Sequence, residues 1–155
     1  MMKKKDFIII GSLLVVAIVA FVWATFFTVS EGSIAKVYYQ NEVVIEVDFN
    51  DQTYQMYPQN DAEDYPKLID TDDKSAADLT FIVLGFYEIE GIRTEAIIEV
   101  NFQTKSIRIA KDETPKQIGV SRGWYDGKGL PVVSLPNQIF IKFEQEATDE
   151  VDGAV

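Results

Sequence analysis

Hydrophobic and polar positions follow two regimes along this chain. Residues 7–28 form an uncharged run whose only polar side chains are Ser12, Thr25 and Thr28. Wound as a helix, a run of that length spans about 33 Å, enough to cross a hydrocarbon core of about 30 Å. It has no polar face, which a soluble helix of that length would need. A cleaved signal peptide has a shorter apolar region, about 7–15 residues, followed by small residues. Here the run ends in Trp23, Phe26 and Phe27, aromatics suited to a membrane interface, and Ala24-Thr25-Phe26 is a poor cleavage site. Residues 7–29 therefore read as an uncleaved transmembrane signal anchor, with the lipid bilayer as its partner.

After the anchor the period changes to two, the repeat of a strand with one buried face. Residues 34–39 and 42–49 flank Gln40-Asn41, a hairpin turn. In the second run Val43, Ile45, Val47 and Phe49 share one face, with Glu42, Glu46 and Asp48 opposite; Val44 breaks the alternation. Residues 53–57 extend this sheet after an Asn50-Asp51 turn. Residues 79–87 are apolar on both faces and read as a central strand. A second hairpin joins 94–102 to 106–110, and a third joins 130–135 to 138–144 around Pro136-Asn137. Short strands, polar turns and the absence of a long amphipathic helix predict an all-β domain, a small β-sandwich or partly open β-barrel, preceded by the single transmembrane helix.

Charge sets the orientation and narrows the chemistry. Lys3, Lys4 and Lys5 keep residues 1–6 on the cytoplasmic side and send the domain, residues 33–146, outside the cell membrane. Beyond residue 6 the chain carries 11 basic and 24 acidic residues, a net charge of −13. Such a surface repels phosphate backbones, so nucleic acid is excluded as a partner. The chain has no His and no Cys. That removes disulfides, thiolate metal sites, cysteine nucleophiles and His-based triads, and no cofactor is expected. Residues 58–78 collect seven carboxylates, including Asp70, Asp72 and Asp73. They lack the glycine and terminal glutamate of a twelve-residue calcium loop, so they read as a solvated acidic loop. Residues 147–155 read as a disordered acidic tail.

A turn-rich stretch follows the sixth strand run. Pro115 is placed to open one helical turn, and Gly119 to close it in a left-handed conformation. Gly127 and Gly129 supply a reversal into the last hairpin. Trp124 and Tyr125 read as caps on the core, with stacking on a flat ligand as the alternative. Two pairs qualify nominally for catalysis, Glu88 with Glu90 on one strand face and Ser134 with Lys142. The glutamates read as the wet side of a strand and the serine as a turn residue.

The order of these residues resembles domain II of the transcription factor NusG, a module also found free-standing and membrane-anchored in Gram-positive bacteria. The resemblance spans residues 106–143. It rests on Thr114-Pro115 to Gly119-Val120, then Gly123-Trp124, Gly127 to Gly129, and Ser134-Leu135-Pro136-Asn137. In that family cysteines often stand where this chain has Thr114, Gly119 and Ser134, so any redox or metal role tied to them is absent here. What the resemblance implies is an all-β scaffold, held by these turns, that accompanies envelope machinery; some free-standing relatives accompany flavin-based electron transfer. The expected function is a non-catalytic, extracytoplasmic accessory module with a membrane or envelope protein partner. A ligand- or cation-binding sensor or carrier is the alternative.

Overall fold

The computed structural model describes residues 3–27, 32–70 and 77–144. The chain divides into two compact units, 1–30 and 31–155. In the first, helix α1 (Lys4–Phe27) follows from an unbroken run of apolar residues. Asp6 anchors its start: the Lys3 amide donates to Asp6 Oδ2 at 2.8 Å, in the turn where a negative charge meets free N–H groups. The helix is long and apolar enough to cross a membrane, and it fits a membrane anchor and a signal sequence alike. The predicted tail, 147–155, lies outside the described residues, as do Asp72 and Asp73 of the acidic stretch.

The second unit is two antiparallel sheets around one core. Strands β1 (Ile34–Tyr39), β2 (Glu42–Asp48), β3 (Thr53–Met56), β4 (Lys67–Ile69), β5 (Leu79–Ile89), β6 (Ile92–Asn101) and β7 (Ser106–Lys111) precede a short helix, α2 (Ile118–Ser121). Strands β8 (Val132–Ser134) and β9 (Ile139–Glu144) complete the fold. The five-stranded sheet has the order β3-β2-β1-β9-β8 and the four-stranded sheet β4-β5-β6-β7. Neither sheet closes into a barrel. Ala35, Val37, Val47, Ile139 and Ile141 of one sheet and Phe81, Val83, Ile98, Ile107 and Ile109 of the other belong to one buried cluster. The domain is the all-β, open two-sheet architecture that the alternation predicts.

Turn chemistry explains the hairpins. Gln40 and Asn41 both take positive φ, 49° and 67°, the geometry whose twist matches that of the flanking strands. Glu90 and Gly91 do the same between β5 and β6, at φ 53° and 79°. This last hairpin is absent from the period-two reading, which stops at Tyr87 and resumes at Thr94. Glu90 consequently sits in a turn, not on a strand face beside Glu88. Val44 breaks the alternation because the β1–β2 register shifts between Val37 and Tyr38. A bulge places two consecutive residues, Val44 and Ile45, on the core side. A further departure is β4, a three-residue strand paired with β5 inside the stretch read as an acidic loop. Three residues are too few to display a period.

Candidate interaction site

The three positions where the resembling family often has cysteine converge. The buried Asp112 carboxyl accepts the Thr114 amide through Oδ1 and the Ser134 hydroxyl through Oδ2, both inside the core. Gly119 is buried in α2 against the same spot: a Cβ there would lie 3.6 Å from Ser134 Cβ and 2.8 Å from Ile109 Cδ1. Gly119 is therefore needed for close packing of α2 on β7 and β8, and it does not close the helix in a left-handed conformation. That role belongs to Gly123, at φ 68°, whose amide reaches Val120 O at 3.1 Å. Pro115 likewise stands in a turn ahead of α2, and the left-handed Gln117 (φ 44°) intervenes before the helix begins. A second left-handed pair, Gly127 and Gly129, carries the chain back toward β8. Gly127 also lies against Phe143, whose Cγ would be 2.9 Å from an added Cβ.

Between these glycines the chain adds a bridge to the free edge of β7. The Ile107 amide donates to Tyr125 O at 2.9 Å and the Tyr125 amide to Ile107 O at 2.8 Å. Side chains alternate along this bridge, so Tyr125 enters the core, only 4 % exposed, edge-on to Phe143 at 5.3 Å. Burial pushes its hydroxyl pKa up. Trp124 turns outward and is half-buried, with the Arg108 guanidinium 4.5 Å over its ring. Glu99 holds that guanidinium at 2.6 Å. Tyr125, rather than Trp124, is the core cap.

The Leu135-Pro136-Asn137 turn ties one sheet to the other. The β5–β6 register shifts between Leu84 and Glu88, which frees β5 backbone amides from the ladder. Asn137 takes them: its carbonyl oxygen accepts the Phe86 amide at 3.3 Å, and its Oδ1 accepts the Tyr87 amide at 3.2 Å. Thr94 Oγ1 lies 3.1 Å from the same oxygen. The side chain fits only because residue 85 is glycine, since a Cβ there would fall 1.9 Å from Asn137 Oδ1. On the other side of Leu84, the buried Gln59 amide pairs with the backbone as a strand would, at 2.9 and 3.0 Å. Arg93 Nε donates to Gly85 O at 2.8 Å, while its guanidinium meets Asp61 at 3.1 Å and Tyr39 Oη at 2.6 Å. Tyr39 also donates to Asp61, and burial followed by this hydrogen bond pushes its pKa up to about 12.

This clasp steadies a projection. Strand β4 pairs only with residues 80–82 of β5, and β7 only with 97–101 of β6, so the ribbon from Leu84 to Glu95 runs beyond both neighbours. Past the clasp, Phe86, Ile89 and Ile92 are exposed, Ile92 at 73 %, and Leu135 in the clasp turn is 75 % exposed. A groove of about 490 Å³ opens at the base of the ribbon, lined by Tyr65, Leu84, Ile92, Arg93, Ile97 and Lys111 among others. Isolated hairpins are marginally stable in water, so the polar clasp at the base keeps the ribbon ordered. The ribbon thus presents exposed apolar side chains beside a groove.

The other chemical candidates are dispersed. Ser134 faces the core, whereas Lys142 lies on the outer face of β9, bonded to Glu144 at 2.9 Å. Ser134 and Lys142 therefore do not form a pair. Among the described residues no three carboxylates come together as metal ligands. Gly85, Gln59, Arg93 and Asp112 all escape the sequence reading, because each acts through a contact across the fold. The one local signal was Gly85, a glycine within an otherwise β-branched and aromatic strand.

An open pair of antiparallel sheets, joined by a turn-rich connector and a Pro-Asn clasp, is the class these features define. The family model of NusG domain II matches residues 84–147, from the start of the ribbon through β9. The matched segment is thus similar to NusG domain II and extends upstream of residues 106–143, in which the motifs lie. Among solved structures, it is similar to the Lin0431 protein of Listeria innocua at 19 % identity. The crystal structure covers 73 % of this chain and 95 % of that one, with a TM-score of 0.42. The solution structure covers 77 % and 79 %, with a TM-score of 0.44. A DUF1312 family protein of Enterococcus faecalis is also 19 % identical, with 73 % and 97 % covered and a TM-score of 0.42. No curated protein sequence matches the chain.

Proposed function

We propose that this protein is a membrane-anchored, extracytoplasmic, non-catalytic interaction module whose contact surface is the β5–β6 ribbon and the groove at its base. The observation that carries the reading is the ribbon itself: Phe86, Ile89 and Ile92 stand in solvent on a backbone that Asn137, Gln59 and Arg93 hold rigid. A fold has no need to order such a projection for its own core. The apolar helix and Lys3 to Lys5 support attachment through residues 7–29 with the domain outside, where a cell-envelope or membrane protein is the partner. An electron-transfer or transport complex of the envelope is the setting that the family resemblance favours. A ligand carrier would use the same groove but would leave the ribbon tip idle.

Site-specific photocrosslinking in intact cells tests the surface. A photoreactive residue at position 92 should give one discrete protein adduct, and the same residue at position 128 should give none. Equal, diffuse labelling from both positions would refute the assignment. Protease added to protoplasts should digest the domain and spare the lysine-rich end; full protection would reverse the topology, and spontaneous release would indicate cleavage.

A further inference from the structure

A strand at the rim of a sheet exposes a row of unpaired N–H and C=O groups, and folded proteins guard such rims with charge, proline, bulges or a covering element. Three of the four rims here are guarded. The β7 rim is bridged by Tyr125, and α2 packs on β7 and β8. The β4 rim is only three residues long, follows Pro66 and begins with Lys67. Among the described residues, no charge, proline or covering element guards the β3 rim. Thr53, Tyr54, Gln55 and Met56 are all exposed, carry no charge and, among the described residues, pair on one side only, with β2. The uncharged character continues from Gln52 through Asn60.

An open strand edge calls for another extended strand, and charge decides which. The chain outside residues 1–6 carries −13, so two copies repel over most of their surface. They do not repel along β3. Opposed residues of an antiparallel pair share a face, so the twofold axis of a self-pair must pass through a residue. An axis through Gln55 sets Thr53 against Tyr57 and Asp51 against Gln59. This register opposes no two charges. It sets Tyr54 of each copy against Met56 of the other. Tyr54 already rests edge-on against Phe81 at 5.3 Å, so its ring presents a fixed surface. A cationic strand from another protein would find no carboxylate on β3 to answer it.

We infer that β3 is a homotypic edge, through which a second copy of this chain extends the five-stranded sheet into a continuous ten-stranded one. An isologous contact of this kind closes as a dimer and leaves no further copy of the same edge free. A four-residue strand gives a small contact, of the weak class that forms below about 1,200 Å² of buried surface. The inference does not depend on the ribbon or on the membrane reading.

The absence of cysteine makes the test clean, since one introduced thiol is then unique. The full chain with Gln55→Cys, solubilised in mild detergent, is treated with a short bis-maleimide, alongside a chain with Asp126→Cys as control. Association through the apolar helix would affect both equally. The expected result is a covalent dimer from position 55 at several times the control yield, reduced to the control level when Thr53→Lys is added. Thr53 lies on the exposed edge, so the melting temperature of that variant should match its parent and exclude misfolding. Equal yields from positions 55 and 126, or a position 55 yield untouched by Thr53→Lys, would overturn the inference.

Discussion

The joint between Gly85 and Asn137 makes a quantitative prediction. An alanine at position 85 places a Cβ 1.9 Å from Asn137 Oδ1 and 2.3 Å from its Cγ, so the asparagine side chain must leave. Gly85 is not left-handed, and the effect is therefore steric, without a backbone component. Displacing Asn137 withdraws the acceptor from the Tyr87 amide and from Thr94 Oγ1. Stranding partly buried donors and repacking the site should together cost about 3 kcal/mol. Asn137→Ala withdraws the same acceptor without forcing a clash. It also removes Nδ2, which is buried without a hydrogen-bond partner, and that gain limits the loss to about 2 kcal/mol. In the double variant the clashing atoms are gone and only Asn137 Cβ remains close, at 3.0 Å. The two losses share one cause, so the double variant should lose about 3 kcal/mol and not the sum, a coupling of about 2 kcal/mol. Urea unfolding of the four proteins, followed by circular dichroism, measures this cycle. Additivity within about 0.5 kcal/mol would refute the clasp as the reason for glycine at position 85.

Three further outcomes follow from the same contacts. Tyr125→Ala should cost about 3–4 kcal/mol and Trp124→Ala clearly less, about 1–2 kcal/mol, because only the tyrosine lies wholly inside the core; thermal melts would rank them, and the opposite ranking would invert the assignment of the core cap. Gly119→Cys with Ser134→Cys should form a disulfide, since the two Cβ positions are 3.6 Å apart; thiol titration and a reductant-sensitive melting temperature would detect it, and persistent free thiols would contradict the geometry. Glu144 is held down to about 2 by Lys36, then Lys142, then Tyr38. A depressed carboxylate stabilises the fold above its unfolded pKa and loses that contribution as pH falls through the folded value. With about a third of the side chain in solvent, Glu144→Gln should cost about 1 kcal/mol at pH 7, and the difference from the parent should vanish as pH falls from about 4.5 toward 2.

Local chemistry determined much of this protein before any contact formed. An uncharged run long enough for a membrane can only be an apolar helix, and alternation with Gln40-Asn41 can only be a hairpin whose faces differ in polarity. The NusG domain II-like motifs were legible for the same reason, since prolines and glycines act on their own backbone. What each motif does was settled by packing. Gly119 looked like a helix stop because glycine tolerates positive φ, but α2 meets β7 and β8 so closely that the missing Cβ is what matters. Trp124 and Tyr125 differ in burial only through the phase in which their segment bridges Ile107, and a one-residue shift would exchange them. Asp112, Gln59 and Arg93 are polar residues with no local signature, and Asn137 shows locally only as a turn residue. Apart from the Thr114 amide on Asp112, they find these partners 8 to 54 positions away in the chain, in contacts that form only as the fold assembles. The ribbon is likewise a product of tertiary structure, since β5 and β6 project only because the strands beside them pair for a shorter distance.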